Sequence, residues 1–433
     1  MLTMNNKNKV LISVLLSTCF TVPALAAIPS GLTISGSSAF AVHGVQQKRR
    51  MNKSKGYHSS VESSSICFTY ANQSDAGHEH KIVANMNATP SVPNGPNPNI
   101  FNQMYMQFRG PAGTLQMGNV YSIPETMCLA GGDILAGNGG FNSYYGSVFN
   151  NASYVLTGTD MSGNVGSATK VTYLTPRFAL WNDKPVLQVG VDFTPNSQHY
   201  GSAPLVTNRS QTSYSQGDIY GVNTMGFGVN YMDDFDNWQV QVALCGVRGT
   251  AYDGRQTAHI GDFRNANKAN RHVLRPYRSW EIGAHVGYKD TQLAAGYVHN
   301  GKSAIQKPGV TIDPTNQDHE QFSGGNAGRL INVGLAQNYG PARASIGFQN
   351  NTMKITARDR TRCRVVSVGG EYTIGEGLVA FIDNNIIKHD TTRSAILLSD
   401  LNGGEDVNPI EYPRLTVDSN KGFTCAGGLK VYF

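Results

Sequence analysis

Three acids stand in one stretch of about 50 residues, 122–169: Glu125, Asp133 and Asp160, with no Lys or Arg among them before Lys170. The rest of the stretch is rich in Gly, Asn and Ser, with Tyr144, Tyr145 and Tyr154 able to pack against a wall. Three bases elsewhere sit on the polar side of alternating segments. Arg109 shares its phase with Gln103, Tyr105 and Gln107, against Met104, Met106 and Phe108. Arg343 runs with Ser345 and Gln349, against Ala344, Ile346 and Phe348, and Lys430 lies opposite Leu429 and Val431. Asp192, Glu281, His285, Lys289 and Glu371 are in water-facing phase too, whereas Pro176 resets the phase before Arg177. None of these groups sits in a reactive pattern. There is no G-x-S-x-G and no H-E-x-x-H, and His78-Glu79-His80 is too short for a zinc site. The chemistry on offer is therefore electrostatic. If 122–169 folds inward, acids and bases face each other across confined water, within the screening length of about 8–10 Å at ordinary salt. If it stays outside, it covers a mouth.

The elements that must position these charges repeat one pattern: about ten residues of apolar and polar alternation, then a turn. Alternation at period two makes one face wet and one not. In 32–45, Leu32, Ile34, Phe40 and Val42 share a face, and at the end of the chain Phe423, Cys425, Leu429, Val431 and Phe433 do. Sixteen such strands can be placed, the clearest at 222–231, 238–246 and 280–288, the faintest at 63–72 and 79–89. Short connectors such as Gly110-Pro111-Ala112, Lys289-Asp290 and Asn338-Tyr339-Gly340 alternate with long ones throughout. A soluble sandwich has no reason to gather its long loops at one end, but a membrane barrel does. Closure pairs every backbone group, which an open sheet edge in lipid cannot do. The fold expected is all-β: one transmembrane antiparallel β-barrel of 16 strands, with 122–169 as its third external loop.

Composition agrees. Charged residues are 15% of the chain, with 48 Gly, 20 Tyr and 17 Phe. That excludes a disordered chain and a helical bundle. Aromatic residues near strand ends (Tyr231, Trp238, Trp280, Tyr288, Tyr297, Tyr372 and Phe433) suit the membrane interface. At the N-terminus, Lys7 and Lys9 precede an apolar run and then Ala24-Leu25-Ala26. This reads as a secretory signal, 1–26, cut before a barrel of 27–433. Loss of the two lysines takes the net charge from +6 to +4, which gives no reason to expect nucleic acid as a partner. Cys67, Cys128, Cys245, Cys363 and Cys425 remain, widely spaced and without C-x-x-C, so a zinc site is not expected. One or two disulfides stay open in an oxidising compartment.

Gly428-Leu429-Lys430-Val431-Tyr432-Phe433 resembles the closing strand of Gram-negative outer-membrane barrels. In that family the alternating apolar residues, here Leu429, Val431 and the terminal Phe433, form the signal read by the barrel-assembly machinery. The stretch from Phe108-Arg109-Gly110-Pro111-Ala112-Gly113 to Gly118 looks like the turn and strand before the third loop of general diffusion porins. Here Asn119 follows the last Gly where the family usually has Arg. Tyr173-Leu174-Thr175-Pro176-Arg177-Phe178 is similar to the strand after that loop, and Pro124-Glu125 and Gly131-Gly132-Asp133 to its constriction loop. The resemblance implies a 16-stranded barrel, three to an assembly, whose third loop narrows the pore and sets its acids opposite basic wall groups.

The function expected is a passive outer-membrane channel for small hydrophilic solutes and ions, with no cofactor and no enzymatic activity. The alternatives are a substrate-selective channel and a surface or adhesion barrel worked by its loops. Pore residues expected are Glu125, Asp133, Asp160, Arg109, Arg343 and Lys430. Partners expected are two further copies, the membrane lipids and the assembly machinery. The basic run Lys48, Arg49, Arg50, Lys53 and Lys55 suits anionic lipopolysaccharide groups or a neighbouring subunit.

Overall fold

The computed structural model describes residues 31–48, 56–75, 77–87, 101–142, 149, 161, 166, 168–180, 184–197, 219–253, 274–303, 326–354, 360–392 and 419–433. The signal segment, Asp160, and Arg49, Arg50, Lys53 and Lys55 lie outside them. Strands β1 (Gly31–Gln47), β2 (Tyr57–Gln73), β3 (Glu79–Asn87), β4 (Phe101–Gly110) and β5 (Gly113–Val120) come first. β6 is Ala168–Leu174 with a continuation at Phe178–Ala179, both parts pairing with β7 (Pro185–Asn196). Pro176 interrupts β6 because it has no N–H to give the ladder. Then follow β8 (Ile219–Phe235), β9 (Trp238–Asp253), β10 (Tyr277–Tyr288), β11 (Thr291–Gly301) and β12 (Asn326–Tyr339). β13 (Ala342–Lys354), β14 (Arg360–Gly375), β15 (Leu378–Thr392) and β16 (Asn420–Tyr432) complete the sheet.

Each strand pairs antiparallel with its sequence neighbours, and β1 pairs with β16. The result is the closed 16-stranded barrel expected, including both faint strands. Phe433 seals the seam. Its N–H donates to the Gly36 carbonyl at 3.1 Å, its carbonyl accepts from the Gly36 N–H at 2.9 Å, and its ring lies over Gly36, the one side chain small enough there.

The barrel is apolar outside and polar inside. On β1, Leu32, Ile34, Phe40 and Val42 are exposed while Ala39, Ala41 and His43 are buried. The same phase holds for Met225, Phe227, Trp280, Ile282, Ile346 and Phe348, all outward, against inward Thr224, Asn230, Glu281, Ser345 and Gln349. So continuous an exposed apolar band suits hydrocarbon, not water. Aromatic pairs sit near its edges, Trp238 with Tyr288 at 4.6 Å and Trp280 with Tyr297 at 5.3 Å between ring centroids. The short turns, such as Gly340-Pro341 and Glu376-Gly377, gather at one end with both strand termini, as the alternation of connectors requires.

Candidate functional site

The described first part of the link from β5 to β6, residues 121–142, lies against the inner face of the barrel. It opens with a one-turn helix α1 (Ile123–Met127) and two 3-10 turns, Gly131–Ile134 and Gly140–Asn142. Ser122 caps α1 by accepting from the Glu125 N–H, and Pro124 occupies its first turn, where a missing N–H costs nothing. From there the chain runs around the inner wall past β7 to β16.

The wall receives it by removing its own side chains. Gly190 of β7 is the register partner of Gly228 of β8, and Ile123 lies over both. Gly283 pairs with Gly296, and Gly334 with Gly347. A Cβ at Gly283 would lie 1.7 Å from the Leu129 carbonyl oxygen. One at Gly334 would lie 2.1 Å from the Gly131 oxygen, and one at Gly369 2.1 Å from the Ala136 oxygen. This glycine track is a groove cut for a backbone.

Polar wall side chains then satisfy that backbone. Asp192 accepts from the Ile123 N–H at 2.6 Å and Asn230 donates to the Met127 carbonyl at 3.3 Å. His285 meets the Ala130 carbonyl at 3.1 Å, and Asn332 accepts from the Gly131 N–H. Ser345 accepts from Ala136 at 2.7 Å, and Asp383 accepts from both Asn138 and Gly140 at 3.0 and 3.1 Å. Buried backbone groups are costly unless bonded, so these contacts allow an irregular segment to lie at membrane depth. A disulfide, Cys128 to Cys245 of β9, adds a covalent pin with 6.0 Å between Cα atoms; Cys67, Cys363 and Cys425 are free thiols.

The expected charges fall into this arrangement unevenly. Arg343 donates to the Ile134 carbonyl at 2.7 Å and to Gln292 at 2.8 Å. Lys430 donates to the Gly137 carbonyl and pairs with Glu371 at 2.9 Å. Both bases thus reach the loop by holding its backbone, and the acid beside Lys430 is Glu371 of the wall. Asp133 accepts from the Ala130 N–H at 2.7 Å and lies 3.6 Å from His285, with its side chain 34% exposed. Desolvation at this junction raises its pKa, the Ala130 N–H and the His285 charge oppose the rise, and Glu125 adds to it. Glu125 stands in the first turn of α1. Arg109 sits beside the Gly110–Gly113 turn, at the short-turn end of β4, in register with Glu79 and Thr114, and apart from the strands β7 to β16 whose side chains anchor the loop. Arg177, unassigned from its phase, faces inward and donates to Val186 and to Asn230, itself a loop anchor.

Sequence reasoning placed Asp192 and His285 on the wet face but missed them as anchors, and missed Asn230, Asn332, Ser345 and Asp383. The available signal was the inward-phase glycine recurring at mid-strand from Gly190 to Gly369. Its importance is testable. Gly283→Val should displace Leu129 and with it the Cys128–Cys245 bridge. Thiol titration of the unreduced, denatured mature protein should then find five free thiols where the parent has three. Gly427→Ala is the control, since a Cβ there meets nothing nearer than 3.8 Å. A count of three in the Gly283 variant would contradict this account.

Comparison with known proteins gives a consistent picture. A family profile described as Gram-negative porin matches residues 13–386. An anion-selective porin from Comamonas acidovorans is 11% identical, with a TM-score of 0.52 over 93% of this chain and 99% of that one. OmpT, an outer membrane protein of Vibrio cholerae solved in trimer form, is 8% identical, with a TM-score of 0.51 over 93% of this chain and 99% of that one. At such identities the likeness speaks for the fold. No curated protein matches the chain in sequence.

Proposed function

Because the chain belongs to the Gram-negative porin family, and so forms an outer-membrane diffusion channel, we propose that the link between β5 and β6 is the constriction that sorts its small hydrophilic solutes and ions. The observation that carries this reading is the path of the described first part of the link, residues 122–142, which lies on the inner wall, anchored from Asp192 to Lys430. Glu125, Asp133 and Asp160 give it negative charge, with Arg109, Arg343 and Lys430 as the opposing bases. Charges of both signs around narrow water make a transverse field that acts on ions and dipolar solutes.

Single-channel recording on the purified protein tests the function directly. Steady ohmic openings are expected, and no conductance at all would favour a loop-driven surface barrel. Reversal potentials in a salt gradient test the residues. Replacing the three acids by Gln or Asn should shift selectivity toward anions, and Arg109→Ala toward cations, both shifts shrinking as salt rises. No shift in either variant would remove these residues from the constriction. Arg343→Ala and Lys430→Ala should also raise current noise, because each removes a donor to a loop carbonyl.

The assembly proposed is a homotrimer, cut from its signal near Ala26 and inserted through the closing strand Leu429, Val431 and Phe433. An unheated sample should migrate as an oligomer and a boiled one as a monomer. Identical migration as monomer would contradict the trimer.

A further inference from the structure

The Cys128–Cys245 bridge joins positions 117 apart, while Cys67, Cys363 and Cys425 stay as free thiols. Chain order makes this pairing the harder one to reach. Cys67 is 61 positions from Cys128, and Cys363 is 62 from Cys425. Closure of a flexible loop falls as the three-halves power of its length, so a separation of 61 closes about 2.7 times as readily as one of 117. An outer-membrane chain passes through the periplasm, where thiols are oxidised. While unfolded there, it favours Cys67–Cys128 over the native bridge, and Cys363–Cys425 competes as well.

Neither wrong pair fits the barrel. Cys67 on β2 packs with Val83 and Tyr105, whereas Cys128 is held on β9, about half-way round the ring of strands. Cys363 is buried inward on β14, and Cys425 on β16 shares the outward phase of Phe423 and Leu429. The native bridge is in turn sealed: Cys245 is fully buried, in one apolar cluster with Ile123, Met127 and Tyr277. A protein catalyst cannot reach that sulfur once the sheet closes, so a wrong pair has to be corrected earlier. We propose that this chain is a client of a periplasmic disulfide isomerase, a protein with a reactive thiolate, which acts between export and barrel closure. A disulfide-bearing oxidant first takes two electrons and two protons from Cys67 and Cys128. The isomerase thiolate then attacks Cys128 Sγ, and Cys67 leaves as its thiolate. The Cys245 thiolate attacks Cys128 Sγ in that mixed disulfide, forms the native bridge and returns the isomerase thiolate. The exchange itself consumes no electrons, and it is independent of which residues line the constriction.

The experiment produces the full chain in a Gram-negative host with and without its periplasmic disulfide isomerase. Free thiols are blocked at harvest, bridges are mapped by peptide mass spectrometry, and folded barrel is read by the mobility of unheated samples. Loss of the isomerase should lower the yield of barrel carrying Cys128–Cys245 by about threefold, the ratio that loop closure sets. Cys67–Cys128 should then appear in the unassembled fraction. Cys67→Ser with Cys425→Ser removes both short wrong pairs, and its yield should be the same in the two hosts. Equal yields of the bridged parent barrel in both hosts would overturn the proposal, because folding alone would then direct the pairing. So would an undiminished dependence in the double variant, which would place the isomerase's effect elsewhere than on these pairs. If the double variant does not fold, the parent's bridge map decides: Cys128–Cys245 as the main bridge of the unassembled chain without isomerase overturns the proposal, and Cys67–Cys128 supports it.

Discussion

Replacing Asp192 and Asp383 together by Ala should free the constriction loop from the wall at both ends of its described path. Asp192 holds the Ile123 N–H, and Asp383 holds those of Asn138 and Gly140. A hydrogen bond to a charged group contributes about 2 kcal/mol, and a buried N–H left without an acceptor adds a cost of its own. The other anchors, Asn230, His285, Asn332, Arg343, Ser345 and Lys430, hold the loop between those ends, from Met127 to Gly137, and leave the ends themselves free. The expected record is a larger mean conductance with strong flicker, while the barrel keeps its heat-resistant migration. Asp192→Asn with Asp383→Asn retains acceptor oxygens and should restore most of the quiet parent behaviour. Adding a reductant to the Ala variant should increase the flicker, because Cys128–Cys245 is then the remaining covalent restraint on that segment. Quiet, parent-sized openings in the Ala variant would mean that the carboxylates do not hold the loop.

Deleting Phe433 should reduce the yield of folded barrel by about tenfold, because each backbone group left unpaired in lipid costs several kcal/mol. The residue contributes both hydrogen bonds with Gly36 and the ring that covers it. Without it, β1 and β16 keep an open corner at the seam. Gly36→Leu attacks the same joint from the other side, since a Cβ there would lie 2.5 Å from the Phe433 ring and 2.8 Å from the Ser65 carbonyl oxygen. Refolding from denaturant into detergent, read by the mobility of unheated samples, separates two causes. Failure of both variants in vitro places the defect in closure itself. Failure of the deletion in cells alone places it in recognition by the assembly machinery. Normal yield of both variants in both settings would contradict each role.

The barrel was legible in the sequence because its rule is local. A residue at period two either meets lipid or does not, so Leu32, Ile34 and Phe40 against Ala39 and Ala41 declare their faces without reference to the rest of the chain. Alternating connector length gave the two ends by the same token. The constriction loop was legible by its length and its acids alone. Its anchors were not, because each joins residues far apart in the chain: Ile123 to Asp192 across 69 positions, Asn138 to Asp383 across 245, Gly137 to Lys430 across 293. Nothing in the neighbourhood of Asp383 distinguishes a loop anchor from any other wet-face acid. Nor does spacing show that Cys128 meets Cys245, or that Arg343 and Lys430 reach loop carbonyls. Sequence by itself determined the strands, their faces and the closing joint, since these follow from the contrast between lipid and water along each strand. The tertiary structure alone decided the path of the loop and the partners of its charges, since those depend on the order in which a closed sheet brings its glycines and polar side chains beneath one wandering backbone.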